Sequence, residues 1–438
     1  MYQIIAIVQL VLFLFLIAAY MKKQGLIVLV DQVKIMFILW IVTLILYDFR
    51  LSTLYNPNML INGIVIAIWG SFLILSKFIS LKEEDVHFLF KGLKDRNIYT
   101  RYYYISNIIF VVAAVVFIYN AYKHGLAIAE ENKIGKQELD HYAGYIVYML
   151  VLCAEIKYVL FRNYGRWIDL VILLLSTALL MLTLNRGPMA FLFITIGLYE
   201  VFNFINIKEY LQKRTKYMIY GGFIALVLAF VWFFGYIGDM RMKYVMENVY
   251  GRTLAEHYGV SELMPSGFLW VYIYLTSPLE NIAFSLTNQV VNFTYFNNLF
   301  YPFVKFFANI IGKGAEYKEW LMGQATYIPY LEKKVGLNAG SFIPEAFQDL
   351  GVAGFVVYLG IYMALAYFSI KLIKNRGRLS SISKILIYTN ITSILLWGVF
   401  VNSFKIPILI MNIMILLVIE FDYRMGYSEK LLRKLSRR

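Results

Sequence analysis

Apolar residues in this chain come in runs of about 20 with almost no charge inside them, the length an α-helix needs to cross the hydrocarbon core of a bilayer. Such runs fall near residues 3–20, 26–47, 59–79, 104–122, 142–161, 167–184, 188–207, 216–236, 350–370, 383–402 and 405–421. Hydrophobic residues make up 61% of the 438 and charged residues 16%, too little polar surface to cover a water-soluble domain of this size. The predicted fold is all-α: a polytopic membrane bundle of about eleven transmembrane helices with one large extracytoplasmic loop. Three stretches follow: helices one to eight in 1–236, the loop in 237–349, and the last three helices with a basic tail in 350–438.

The net charge of +14 sits mostly in every second loop between runs. Lys22 and Lys23, Lys82 to Arg101, Arg162 and Arg166, Lys208 to Lys216, Lys371 to Lys384 and the tail after 421 carry it, while the loop at 123–141 is acidic. That alternation is a topology signal rather than a nucleic-acid groove. The positive-inside rule puts the N-terminus outside and the C-terminus in the cytoplasm. The first run lacks a basic residue before it and reads as a retained span. Cys153, the single cysteine, leaves the outer loop without an internal disulfide. Within that loop, residues 267–311 are rich in Trp, Tyr and Phe and read as interfacial or re-entrant.

Phosphate-cradling loops, dinucleotide glycine patterns and His/Cys metal spacings are absent from the sequence, so no cofactor and no metal are expected. The groups able to do chemistry collect at the predicted outer mouth. Asn185-Arg186-Gly187-Pro188 makes a tight turn into a helix, and Arg186 reads two ways: an anion site beside free N–H groups or an arginine reaching the interface. Asp239, Arg241, Lys243, Glu247, Arg252, Glu256 and His257 open the loop. Arg241 and Arg252 suit a diphosphate, or Arg252 simply pairs with Glu256 one turn away; His257 suits a general base. Glu345 and Asp349 would share a helix face, as base or as helix-start acids, ahead of Gly351 and Gly354. Lys405 adds an outward cation. Trp270, Tyr272 and Tyr295 suit stacking on sugar rings or an aromatic belt.

Taken together, the chain resembles the bacterial oligosaccharide repeat-unit polymerases of the Wzy type, and the related O-antigen ligases. The many spans, the Tyr- and Phe-rich composition and the late outer loop carry the likeness, with two local patterns. Thr183-Leu184-Asn185-Arg186-Gly187-Pro188 looks like the family's Ser/Asn-Arg-Gly turn before a span, and Glu345 to Gly354 looks like its return to the membrane after the loop. Arg241 and Gly251 are separated by residues 242–250, one short of the Arg-x10-Gly spacing of some members. The resemblance implies a GT-C-like glycosyltransferase of the bacterial cytoplasmic membrane, free of nucleotide and metal. Its substrate would be an oligosaccharide on undecaprenyl diphosphate, and its pathway partners a flippase and a chain-length regulator. On that basis Arg186, Arg241, Arg252 and Lys405 would hold the diphosphate, His257, Glu345 or Asp349 would act as base, and Trp270, Tyr272 and Tyr295 would meet the glycan. A ligase, or a lipid-linked oligosaccharide flippase or other transporter, is the alternative.

Overall fold

A computed structural model describes the chain except for residues 95, 127–136, 245, 247–250, 289–291, 325–329, 377–378 and 426–438. The helices are α1 (Tyr2–Gln24), α2 (Gln32–Asp48), α3 (Met59–Phe78), α4 (Glu83–Lys91), α5 (Arg96–His124), α6 (His141–Tyr148), α7 (Leu150–Tyr164), α8 (Trp167–Leu182) and α9 (Arg186–Ile207). They continue with α10 (Lys213–Tyr244), α11 (Leu254–Tyr258), α12 (Ser266–Asn288), α13 (Tyr301–Ile310), α14 (Gly314–Gly323), α15 (Tyr330–Val335), α16 (Ile343–Lys374), α17 (Ser381–Trp397) and α18 (Pro407–Met425). No strand forms among the described residues, where a bridge joins Ser341 and Val401. Among the described residues, six segments are long and apolar enough to cross a membrane: Tyr2–Leu29, Met59–Phe78, Ile98–His124, Tyr142–Tyr164, Arg186–Tyr210 and Ile343–Lys374. Three shorter apolar helices, Trp167–Leu182, Val227–Met240 and Ser381–Trp397, accompany them. The protein is therefore an all-helical, multi-pass membrane protein.

The chain divides into two compact units. The first comprises Met1–Ser80, Tyr210–Phe368 and Ile394–Ile406; the second comprises Leu81–Glu209, Ser369–Ser393 and Pro407–Arg438.

In the first unit α2 is the centre, packed against α1, α3 and α12 and buried along most of its length. It starts later than the apolar run from 26 suggests, because Asp31 caps it and accepts from the amides of Val33 and Lys34. Asp31 also pairs with Lys34 at 2.7 Å, both fully buried, and the Lys34 ammonium reaches Ser80 Oγ at 2.8 Å. A buried charge is costly unless it is paired or fully hydrogen-bonded. By contrast α1 buries Ala6 alone; an apolar helix left bare on nearly every side is built to meet lipid.

The second unit is organised around α7, packed against α5, α8 and α9. Glu155 on α7 is fully buried and accepts from Thr195 Oγ1 at 2.7 Å and Asn390 Nδ2 at 2.9 Å. Asn390 in turn accepts from Asn412 at 3.1 Å. Two residues on, Lys157 pairs with Asp169 at 2.8 Å, and Tyr99 donates to the same carboxylate at 2.9 Å. Helix α9 begins where the Asn-Arg-Gly-Pro turn places it. Asn185 is the N-cap, accepting from the Gly187 amide at 3.3 Å, and Pro188 sits in the first turn, where no N–H is needed.

Back in the first unit, α16 is broken after Asp349. Leu350 and Gly351 leave the helical region, Gly351 with φ 60°, a conformation glycine adopts without strain. The break strands two carbonyls, and the chain at 294–295 takes both: Thr294 N donates to Gln348 O at 3.1 Å and Tyr295 N to Asp349 O at 3.0 Å. Beyond the break the helix passes close to its own first turns, so that a Cβ on Gly354 would lie 2.0 Å from Ala346 O. Gly354→Ala should therefore lower stability by about 1–3 kcal/mol. Gly360→Ala, on the same helix with nothing within 4 Å of its Cβ, should leave it unchanged. Melting of the two variants in detergent checks this.

Candidate active site

The loop from 292 to 300 is non-helical and is fastened by one carboxylate. Asp349 is fully buried. Its Oδ1 accepts from Thr294 Oγ1, Asn298 N and Asn298 Nδ2, and its Oδ2 from Leu299 N at 3.1 Å and Tyr358 Oη at 2.6 Å. An ionised carboxylate can only accept, and here backbone amides, an amide side chain and hydroxyls supply the donors. The loop is thereby set at the head of α16, with Asn298 and Tyr301 beside Glu345. Gln348, one residue before Asp349, adds a tie from its Nε2 to Gln324 O at 2.8 Å.

Around Glu345 these elements form a cleft of about 270 Å³ lined by Asn298, Tyr301, Lys318, Glu345, Gln348 and Lys405, closed by Leu321 and Met322. Glu345 Oε1 pairs with Lys405 Nζ at 2.9 Å, both side chains partly exposed, and Oε2 accepts from Asn402 Nδ2 at 2.7 Å. Lys405 also donates to Asn298 Oδ1 at 2.9 Å and lies 5.3 Å from the Tyr301 ring centroid. Tyr301 stacks on Tyr317, and Tyr317 on Trp320, each at 6.0 Å. Burial pushes the Tyr317 phenol up to about 12, so it stays protonated and donates toward Asn297. Lys318 opens on the cleft with no ion-pair partner among the described residues. The result is a water-accessible carboxylate oriented by an ammonium and an amide, with a second ammonium and an aromatic face nearby. Such a set can accept a hydroxyl proton and steady a developing anion.

A second cleft in the same unit, about 490 Å³, is lined by Asp239, Met246, Gly251, Arg252, Thr253, Leu254 and Glu256. Arg252 is exposed there. Glu256 closes a capping box with Thr253 instead of pairing with Arg252: Thr253 N donates to Glu256 Oε2 at 2.9 Å, and Glu256 N to Thr253 Oγ1 at 3.1 Å.

The other expected residues fall as follows. Glu345 and Lys405 come together, 60 residues apart in sequence. Asp349 is corrected from candidate base to positioning residue, since its oxygens are saturated by donors and it lines neither cleft. Trp270 and Tyr272 are corrected from glycan contacts to core. Both are buried, Trp270 donating to Asp239 at 2.7 Å and the Tyr272 hydroxyl accepting from Ser52 N at 3.2 Å. Tyr295 is exposed but lines neither cleft. Arg186 is buried within the second unit. Arg241 falls in α10, its side chain outside the described residues, as is Glu247. His257 is buried, its Nε2 3.3 Å from Val335 O, and it lines neither cleft. Asn298, Asn402 and Lys318 carry no sequence motif and emerge only in three dimensions, and Gln348 lies in the Glu345–Gly354 stretch without being a candidate itself. His, Cys, Asp and Glu form no metal-holding group among the described residues. Comparison with known protein families, characterised proteins and solved structures finds no significant match.

Two outcomes follow from this geometry. Asp349→Asn replaces one carboxylate oxygen with an NH2, which then meets either the Asn298 or the Leu299 amide donor to donor, and should cost about 1–3 kcal/mol, read as a lower melting temperature. Burial lowers the His257 pKa below its ordinary 6.5, the Arg252 charge adds to that, and the Val335 carbonyl opposes it. The unfolded chain then takes up a proton before the folded one does. Stability is fully present above pH 6.5 and is lost as pH falls through the lowered value. Melting between pH 8 and 5 should fall less steeply for His257→Gln than for wild type.

Proposed function

We propose that the protein is a membrane glycosyltransferase that polymerises oligosaccharide repeat units carried on undecaprenyl diphosphate, at the outer face of the bacterial cytoplasmic membrane. In this reading about eleven helices span the bilayer, the N-terminus is outside, the C-terminus is cytoplasmic, and residues 237–349 form the large outer loop. The observation that carries the proposal is the Glu345–Lys405 pair. It is a carboxylate and ammonium at 2.9 Å, both partly exposed, in a polar cleft that Lys318 and Tyr301 also line.

The chemistry needs few groups. Glu345 takes the proton from an acceptor hydroxyl as its oxygen bonds to the anomeric carbon of the donor sugar. The bond from that carbon to the diphosphate oxygen breaks, and the lipid diphosphate leaves with the electron pair. Lys405 and Lys318 stabilise the charge that develops there, and Arg252, in the second cleft of the same unit, offers a further cation. Tyr301 offers the sugar an aromatic face. A flippase and a chain-length regulator are the expected partners. The related ligase reaction differs only in the acceptor. A transporter reading draws on Glu155, a carboxylate fully buried among neutral partners, since an ionisable group inside a membrane bundle is often functional.

With purified protein and a lipid-diphosphate-linked repeat unit, wild type should give a ladder of products. Glu345→Gln should lower the rate about 100- to 10,000-fold while still eluting as folded protein, and Lys405→Ala should also slow it. A Glu345→Gln variant that polymerises at the wild-type rate would remove Glu345 as the base.

A further inference from the structure

Helix α13 turns the wrong way for a helix in water. A soluble amphipathic helix hides its apolar stripe. Here Phe303, Phe306, Phe307 and Ile310 fall on one face by helical spacing and are 54%, 61%, 64% and 66% exposed. Phe300, just before the helix, continues that edge and is exposed as well. The opposite face carries Tyr301 and Lys305, with the Lys305 ammonium 5.2 Å from the Tyr301 ring. Through Tyr301 this inner face forms part of the wall of the Glu345–Lys405 cleft, and α13 also packs against α14 and the turn Ser403–Lys405.

Length decides between crossing a membrane and lying on one. Ten residues make a helix about 15 Å long, half of the roughly 30 Å hydrocarbon core. The helix therefore cannot span, and a face of phenylalanines opposite cationic Lys305, with Lys313 just beyond the helix end, is what the headgroup–acyl boundary accepts. The same unit contains Tyr2–Leu29, Met59–Phe78 and the larger part of Ile343–Lys374, each long and apolar enough to cross a bilayer, so a bilayer is the apolar medium at hand.

We propose that α13 is a bilayer-contact helix: Phe303, Phe306, Phe307 and Ile310 sit in the headgroup–acyl boundary, while the opposite face holds Tyr301 in the cleft wall. The partner is the phospholipid surface itself, and the contact is independent of the reaction the cleft carries. It makes the cleft open at the level of the headgroups rather than above them.

Nitroxide labels test this directly. Cys153, the single cysteine, is buried, so Cys153→Ser gives a background for labelling Phe306→Cys, Phe307→Cys and, at the exposed start of α14, Lys313→Cys. In phosphatidylcholine–phosphatidylglycerol vesicles, labels at 306 and 307 should be severalfold more accessible to oxygen than to a water-soluble nickel chelate, with the order reversed at 313. Nickel accessibility exceeding oxygen at 306 and 307 would place the face in water and overturn the proposal. Low accessibility to both, showing that protein such as a second copy covers the face, would overturn it too. Phe303→Cys serves as a second position if either variant fails to fold, and is read by the same criterion.

Discussion

The candidate site depends on the satisfaction of one buried carboxylate. Asp349 stands where α16 breaks, and a helix break in a membrane protein leaves polar backbone that lipid cannot serve. The neighbouring loop answers both needs at once. Its amides at 294 and 295 take the stranded carbonyls, and its amides at 298 and 299 bind the carboxylate. The loop therefore has one position relative to α16. Asn298, fixed in this way, presents its Oδ1 to Lys405, and Lys405 is held against Glu345. The reactive-looking pair is the far end of a chain of hydrogen bonds whose near end is structural.

Two other pairs are fully buried and closed to any substrate: Asp31 with Lys34 in the first turn of α2, and Lys157 with Asp169 between α7 and α8. Glu345 and Lys405 are partly exposed, and Lys318 stands beside them. A carboxylate that must exchange a proton with a ligand has to be reachable. Lys405 keeps the Glu345 carboxylate oriented without enclosing it, and the aromatic row of Tyr301, Tyr317 and Trp320 stiffens one wall of the cleft.

Local rules made much of this legible in the sequence. Run length gave the helical, membrane-crossing character, and Asn185 and Pro188 marked the start of α9 because capping depends on neighbours in the chain. The stretch from Glu345 to Gly354 stood out for the same reason, acids and then glycines at a helix start, but the break at Leu350 and Gly351 did not show. Proximity did not show. Lys405 and Asn298 meet across 107 residues, and an asparagine has no pattern that announces a partner so distant. Nor could composition tell which aromatics face outward. Trp270 and Tyr272 are as aromatic as Tyr301, but Asp239 and Ser52 draw them into the core. The run from 26 to 47 looked like one span, yet the Asp31 cap divides it.

In the proposed function the Glu345–Lys405 cleft extends glycans on a lipid carrier rather than moving the carrier across the membrane. The most direct measurement follows a fluorescent lipid-diphosphate-linked repeat unit in sealed proteoliposomes, reading glycan length and membrane sidedness in the same sample. The account predicts products of increasing length from substrate in the leaflet that the cleft faces, with substrate in the opposite leaflet remaining there. Units that cross the bilayer and stay unextended would contradict it and make the protein a transporter.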